Sequence, residues 1–200
     1  GFANIYQMDL DGKNLKQLTN GTDGQRQSPQ ITNDSKFLYY IFRGKNGANI
    51  RRFNLQTNTE EFFFDNPEIQ PQTFMEISPD NKYITFSRAY DRSGEEASKK
   101  FTDLIAIVSL ENPKDVKIFP ASLNSRFRRF SPNSKAVDWI SADSDGSQLV
   151  RQEFEQTTFK PFYSYTNGTI FNFAWSKDGK KLAISQGNLD KDAILLSNFD

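Results

Sequence analysis

The sequence predicts an all-β chain of tandem β-propeller blades, each a four-stranded antiparallel repeat, with the propeller itself partial or fragmentary. Three observations carry this: an aromatic-rich composition, one turn motif that returns four times, and strand-like alternation after every copy. The 200 residues include 19 Phe, 7 Tyr and 2 Trp, and large aromatics pack well on the half-buried pleated surface of a strand. A repeat of about forty-five residues is the mark of propeller blades and solenoids.

The motif is an apolar residue, then Ser or Thr, then a short polar turn holding an acid or amide, then Lys. It occurs as Ile31-Thr32-Asn33-Asp34-Ser35-Lys36, Ile77-Ser78-Pro79-Asp80-Asn81-Lys82, Phe130-Ser131-Pro132-Asn133-Ser134-Lys135 and Trp175-Ser176-Lys177-Asp178-Gly179-Lys180. At matching distances follow Leu38 and Tyr40, Ile84 and Phe86, Val137 and Trp139, and Leu182 and Ile184. That period of two is expected of a strand burying one face, so each motif joins a first strand to a second. Third strands follow around Ile50, Ile105, Leu149 and Ile194, and Ala3-Asn4-Ile5 repeats Ala48-Asn49-Ile50 as a further copy. Fourth strands are expected around Leu15 to Thr19, Glu60 to Phe64, Val116 to Phe119 and Phe159 to Tyr163, the first reached through the tight-turn signal Asp11-Gly12. The units are an outer half blade over 1–20 and blades over about 24–65, 70–120, 124–165 and 168–200, all within one propeller region. A β-sandwich would give no reason for one turn to return at near-constant spacing.

Five copies of the third strand stand against four of the first two, which suggests a piece of a larger propeller. Open blade edges offer unpaired N–H and C=O groups to any strand nearby, so self-association through them is expected. Sedimentation should then find species heavier than the 23.0 kDa chain; a well-behaved monomer would count against exposed edges.

Charge names no partner, because 25 basic residues balance 25 acidic ones and leave no field to attract nucleic acid or an anionic membrane. No window reads as a membrane span or a signal peptide. The absence of Cys and His removes thiolate nucleophiles, the common zinc ligands and the usual general base. No catalytic residues, metal site or cofactor are therefore expected. Asp34, Asp80 and Asp178 sit in hairpin turns, where side-chain bonding to nearby backbone accounts for them. Asp143-Ser144-Asp145-Gly146 begins like a calcium loop, but its Gly comes early and Phe154 stands where the bidentate Glu belongs. It reads as a hairpin turn instead.

Two features remain as candidates for binding. Arg126-Phe127-Arg128-Arg129-Phe130 is, by register, the first strand of its blade and lines the central channel. Opposite Arg129 in the other repeats stand Gln30, Glu76 and Ala174, and opposite Arg128 stand Pro29, Met75 and Phe173. The Arg126, Arg128 and Arg129 guanidinium groups need partners: either an ion pair across the channel, for which Glu76 is the obvious choice, or a bound anion or carboxylate terminus. The second feature is the long loop from Tyr90 to Lys100, with Tyr90 and Arg92 as candidate contacts. It shares a face with the loops over 22–27, 65–72, 121–125 and 167–169, the face expected to meet a partner. A solvated insertion of mixed charge is the plain alternative.

The turn motif, its alternating strand and the later Asp-Leu-Asp-Gly at Asp9 to Gly12 resemble the WD-like PD repeats of TolB-like propellers, over essentially the whole chain. The pattern is broken at Asn33 and Lys177, where Pro is usual, and at Asn133, where an acid is usual, which should weaken those turns. The stretch Gly168 to Ser176, with Ser185-Gln186-Gly187-Asn188 and Ile194 to Phe199, is similar to propeller regions fused to bacterial Ser/Thr kinases and winged-helix regulators. What the resemblance implies is a non-catalytic interaction or sensor domain of a bacterial envelope or signalling protein, periplasmic or extracytoplasmic, recognising a protein or small ligand over one propeller face. A cytoplasmic scaffold and the propeller part of a hydrolase using channel-face carboxylates are the rivals.

Overall fold

The computed structural model describes residues 2–72, 74–88, 103–121, 126–143 and 145–188. These residues are all-β. Strands β3 (Gly24–Ile31), β4 (Phe37–Gly44), β5 (Gly47–Asn54) and β6 (Thr59–Phe64) form one antiparallel sheet in chain order. A second sheet contains β7 (Glu76–Ile77), β8 (Tyr83–Arg88), β9 (Asp103–Ser109) and β10 (Val116–Ala121), and a third contains β11 (Arg126–Phe130), β12 (Ala136–Asp143), β13 (Gly146–Glu153) and β14 (Lys160–Thr166). Two-stranded sheets flank them: β1 (Tyr6–Gln7) with β2 (Lys16–Gln17), and β15 (Thr169–Trp175) with β16 (Leu182–Gly187). Four-stranded meanders in series are propeller blades. No helix among the described residues is long and apolar enough to cross a membrane.

The repeated motif closes each first hairpin by one set of bonds. Thr32 Oγ1 donates to Asp34 Oδ1 at 2.6 Å, while the Lys36 N–H reaches that carboxylate oxygen at 3.1 Å and the Phe37 N–H reaches Thr32 Oγ1 at 3.1 Å. Ser78 with Asp80, Ser131 with Asn133 and Ser176 with Asp178 repeat the arrangement, their side-chain bonds spanning 2.7, 2.7 and 2.6 Å. Asn133 accepts from the Lys135 N–H at 3.0 Å as its acidic counterparts do, so replacing the acid leaves the turn intact. The Thr32 hydroxyl, and then the Lys36 N–H, hold the Asp34 carboxyl below its ordinary value; Ser176 and Lys180 do the same for Asp178.

Each turn also needs one residue in the left-handed region: Ser35, Asn81, Ser134 and Gly179, at φ of 57, 57, 59 and 70°. Two of these side chains join neighbouring blades. Asn81 Oδ1 accepts from the Asn33 N–H at 3.0 Å, and Ser134 Oγ accepts from the Asp80 N–H at 3.2 Å. Proline at position 33 could not make the first of these bonds, so the departure from the usual residue supplies a link to the next blade. At Gly179 a Cβ would lie 2.6 Å from Pro132 Cβ, and there the turns meet with no side chain between them.

Alternation was expected to bury one face of each second strand, but both faces are covered. Leu38 through Phe42 are all buried. Leu38, Tyr40 and Phe42 pack with Ile5 and Leu18, which flank the strands of the first small sheet, whereas Tyr39 and Ile41 pack with Met75, Ile84, Phe86, Ala106 and Val108 of the next blade. Ile105, Ile107 and Phe119 meet Phe130, Val137, Trp139 and Val150 across the following interface. Ile140 and Leu149 meet Ile170 and Phe173 across the last one. The residues paired by position in the repeat, Leu38, Ile84, Val137 and Leu182, all face the preceding unit. A sheet sandwiched between two others has no solvent face to keep polar, which explains runs such as Phe37-Leu38-Tyr39-Tyr40-Ile41-Phe42.

Gly179→Ala should lower the unfolding free energy by about 1–2 kcal/mol, from left-handed strain plus the Pro132 clash. Ser35→Gly, at the equivalent position with open φ demands, should not lower it. Urea denaturation of the two variants checks the contrast.

Candidate functional site

Four first strands end at the four turns, and the residue two places before each Ser or Thr faces a common cleft. Gln30, Glu76, Arg129 and Ala174 line it, with Ile31, Ile77, Phe130 and Trp175 beside them and Asn33, Pro79, Pro132 and Lys177 at its rim; the volume is about 730 Å³. One residue earlier in the strands, Met75, Arg128 and Phe173 turn the other way and are buried, while Pro29 is exposed. Strand alternation therefore separates two neighbouring arginines: Arg129 reaches the cleft and Arg128 goes into the body of the blades.

A bulge before these positions sets the register. The ladder slips between Gln27 and Gln30 in β3 and between Arg126 and Arg129 in β11. Ser28, Phe74 and Phe127, each four residues before its turn Ser or Thr, hold φ of 53, 55 and 49°. Phenylalanine in the left-handed region carries a cost of about 1–2 kcal/mol, and bulges re-aim the side chains beside them. Here the Phe74 and Phe127 rings meet at 6.4 Å and bridge two blades.

Glu76 is the carboxylate of the cleft. Its Oε2 accepts from the Phe130 N–H at 2.8 Å, and its Oε1 lies 3.9 Å from Arg129 Nη1. Burial pushes its acid up to about 7, with the charge of Asp138 adding to the rise, against the pull of the Phe130 N–H and Arg129. Asp138 itself is fully buried in β12. It accepts from Arg151 Nε at 2.7 Å, from Arg151 Nη2 at 2.9 Å and from Trp175 Nε1 at 2.9 Å. The indole on the cleft wall is thereby fixed from behind, and the Arg151 guanidinium also lies 5.2 Å from the Phe162 ring.

Of the residues singled out in the sequence, Glu76 and Arg129 come together, and Arg128 lies away from them in the interior. Arg126 belongs to β11, but its side chain lies outside what the structure describes, as do Tyr90, Arg92 and the rest of the long loop. The cleft opens at the turn end of the blades, whereas the described loops over 22–27 and 65–72 lead into the other end of the first strands. Asp138, Arg151 and Trp175 escaped sequence reading. The available signal was an acid between Val137 and Trp139, in a strand that must be buried and so must be paired. Asp143 pairs with Gly146 across the β12–β13 hairpin, as a turn requires. Among the described residues no three acids gather to hold a metal ion.

No protein-family model matches this sequence, and neither does any curated protein. Solved structures do match. TolB from Acinetobacter baumannii superposes with a TM-score of 0.64 at 23% identity, over 90% of this chain and 42% of that one. A TolB-type protein from Agrobacterium tumefaciens gives 0.63 at 16%, over 93% and 66%. The acylaminoacyl peptidase of Pyrococcus horikoshii gives 0.64 at 12%, over 90% of this chain and 30% of the enzyme. The fold is thus a TolB-like β-propeller, shared by proteins of unlike activity, and the chain spans less than half of the Acinetobacter TolB.

Because Glu76 holds its proton more tightly when folded, the native chain binds a proton that the unfolded chain releases. Its contribution to stability is full below pH 4.5 and is lost as pH rises toward about 7. Glu76→Gln keeps an acceptor for the Phe130 N–H and removes this loss. It should raise the unfolding free energy at pH 8 by about 2 kcal/mol relative to the parent, and by far less at pH 4.5. Denaturant titrations at both pH values read the difference.

Proposed function

We propose that this chain is a non-catalytic binding module that takes a protein segment or small ligand in the cleft at the turn end of its blades. One observation carries the reading. The repeats keep the same turn chemistry in all four copies, yet at the equivalent cleft position they present Gln30, Glu76, Arg129 and Ala174. A position needed only for blade geometry would repeat along with the turn; unlike polar groups gathered round one concavity suit recognition.

The resemblance to TolB-like repeats supports an extracytoplasmic role in a bacterial envelope or signalling protein, acting through surface complementarity. The hydrolase alternative asks for two carboxylates within reach of one substrate. Glu76 holds its proton to about pH 7, as a general acid in such chemistry must, but among the described residues lining the cleft it is the only carboxylate.

Immobilised parent chain and an Arg129→Ala, Glu76→Gln double variant, exposed to solubilised bacterial envelope, provide the test. The parent should enrich a defined set of proteins, and the folded double variant should lose about tenfold of that enrichment, as truncation of a central polar contact does. Equal capture by both chains would place binding elsewhere. Hydrolysis by the parent that disappears in Glu76→Gln would replace the binding reading with the enzymatic one.

A further inference from the structure

The charges in the cleft are unequal and loosely arranged. Two cations, Arg129 and Lys177, line it against the one carboxylate of Glu76. Lys177 stands where two of the other turns have Pro79 and Pro132, so the break in the turn motif places an ammonium at the rim. It makes no ion pair among the described residues. Arg129 has its carboxylate only at 3.9 Å, with a side chain 40% exposed, and the other Glu76 oxygen is committed to the Phe130 N–H at 2.8 Å. Compare Asp138, which holds Arg151 through two bonds of 2.7 and 2.9 Å. A guanidinium fork that is to be a structural tie is bound in that second way. Apolar side chains line the cleft as well: Ile31, which is 53% exposed, Ile77 and Trp175.

We infer that the cleft takes a carboxylate-bearing peptide segment with an apolar side chain, the carboxylate seated on Arg129 and Lys177 and the side chain on the Ile31 wall. This rests on the reading of the cleft as a binding surface. Glu76 then competes with the ligand for Arg129. The charged groups that act on Glu76 are Arg129 on β11 and Asp138 on β12, the latter held by Arg151 on β13, and Lys177 lines the same cleft. Burial already favours the neutral acid, whose ordinary value is raised to about 7. A proton on Glu76 frees Arg129, so ligand affinity rises as pH falls through that value.

The probes are N-acetyl-Leu-Leu with a free C-terminal carboxylate, its carboxamide, and N-acetyl-Asp-Leu carboxamide, which carries the charge on a side chain. Amide NMR spectra of the whole chain report where each binds. Expected are shifts at Gln30, Ile77 and Ala174, with at least one acidic probe bound about fivefold or more tighter than the neutral carboxamide. The free-carboxylate and aspartyl probes tell a chain terminus from an internal acid. Arg129→Gln should erase the preference for charge, and Lys177→Pro, the residue of two sister turns, should reduce it. Between pH 8 and pH 6 the affinity of the parent for the acidic probe should rise about threefold, and Glu76→Gln should hold the higher value at both. Binding of the neutral probe at the cleft with no preference for charge overturns the inference and leaves the binding surface standing. No shift at the cleft with any probe overturns it too, and the surface itself is then decided by the envelope capture. A preference for charge that survives Arg129→Gln overturns it as well.

Discussion

Every blade begins with a hairpin that is closed by a side chain acting as backbone. A Ser or Thr hydroxyl and a carboxylate or amide two residues later satisfy the N–H groups that a reversing chain would otherwise leave unpaired. The rest of the structure depends on this closure. It ends the first strand at a fixed residue, starts the second strand in a fixed phase, and brings the left-handed residue of one turn against the backbone of the turn before it. Local chemistry at four places thus sets the spacing of whole blades.

Between those turns the blades are held by apolar burial on both faces. Each interface carries its own cluster: small sheet against first blade, first against second, second against third, third against the last pair of strands. Contacts of this kind stabilise neighbours and little beyond them, as in other repeat proteins. Polar groups inside such a stack must find partners locally. Asp138 does so by drawing Arg151 from the adjacent strand and Trp175 from the next blade, turning a buried acid into a brace between units.

The cleft follows from the same geometry. First strands end at one level, so their last inward residues gather there, and the bulges with left-handed Ser28 and Phe127, together with the left-handed Phe74, set which residues those are. Arg128 and Arg129 illustrate how sharply this works: adjacent in sequence and alike in chemistry, one is buried and the other borders the cleft. Glu76 sits between two roles, as acceptor for a neighbouring strand and as counter-charge to Arg129, and its burial leaves it poised near neutrality.

The sequence by itself determined the repeat, the turns and the strand order, because each is written in residues close to one another along the chain. A Ser and an Asp two positions apart find each other whatever surrounds them, and alternation from Leu38 to Tyr40 needs no distant partner to be read. The pairing of Glu76 with Arg129 was also legible once the repeats were laid in register. Only the tertiary structure decided that both faces of β4 are covered, that Asp138 reaches Trp175, that Arg128 turns inward, and that the cleft opens at the turn end of the blades. Those outcomes are set by the angle and distance between blades and by a one-residue bulge, which bring together groups far apart in the chain, such as Asp138 and Trp175 or Glu76 and Phe130. No local pattern encodes that meeting; packing of one sheet on the next does.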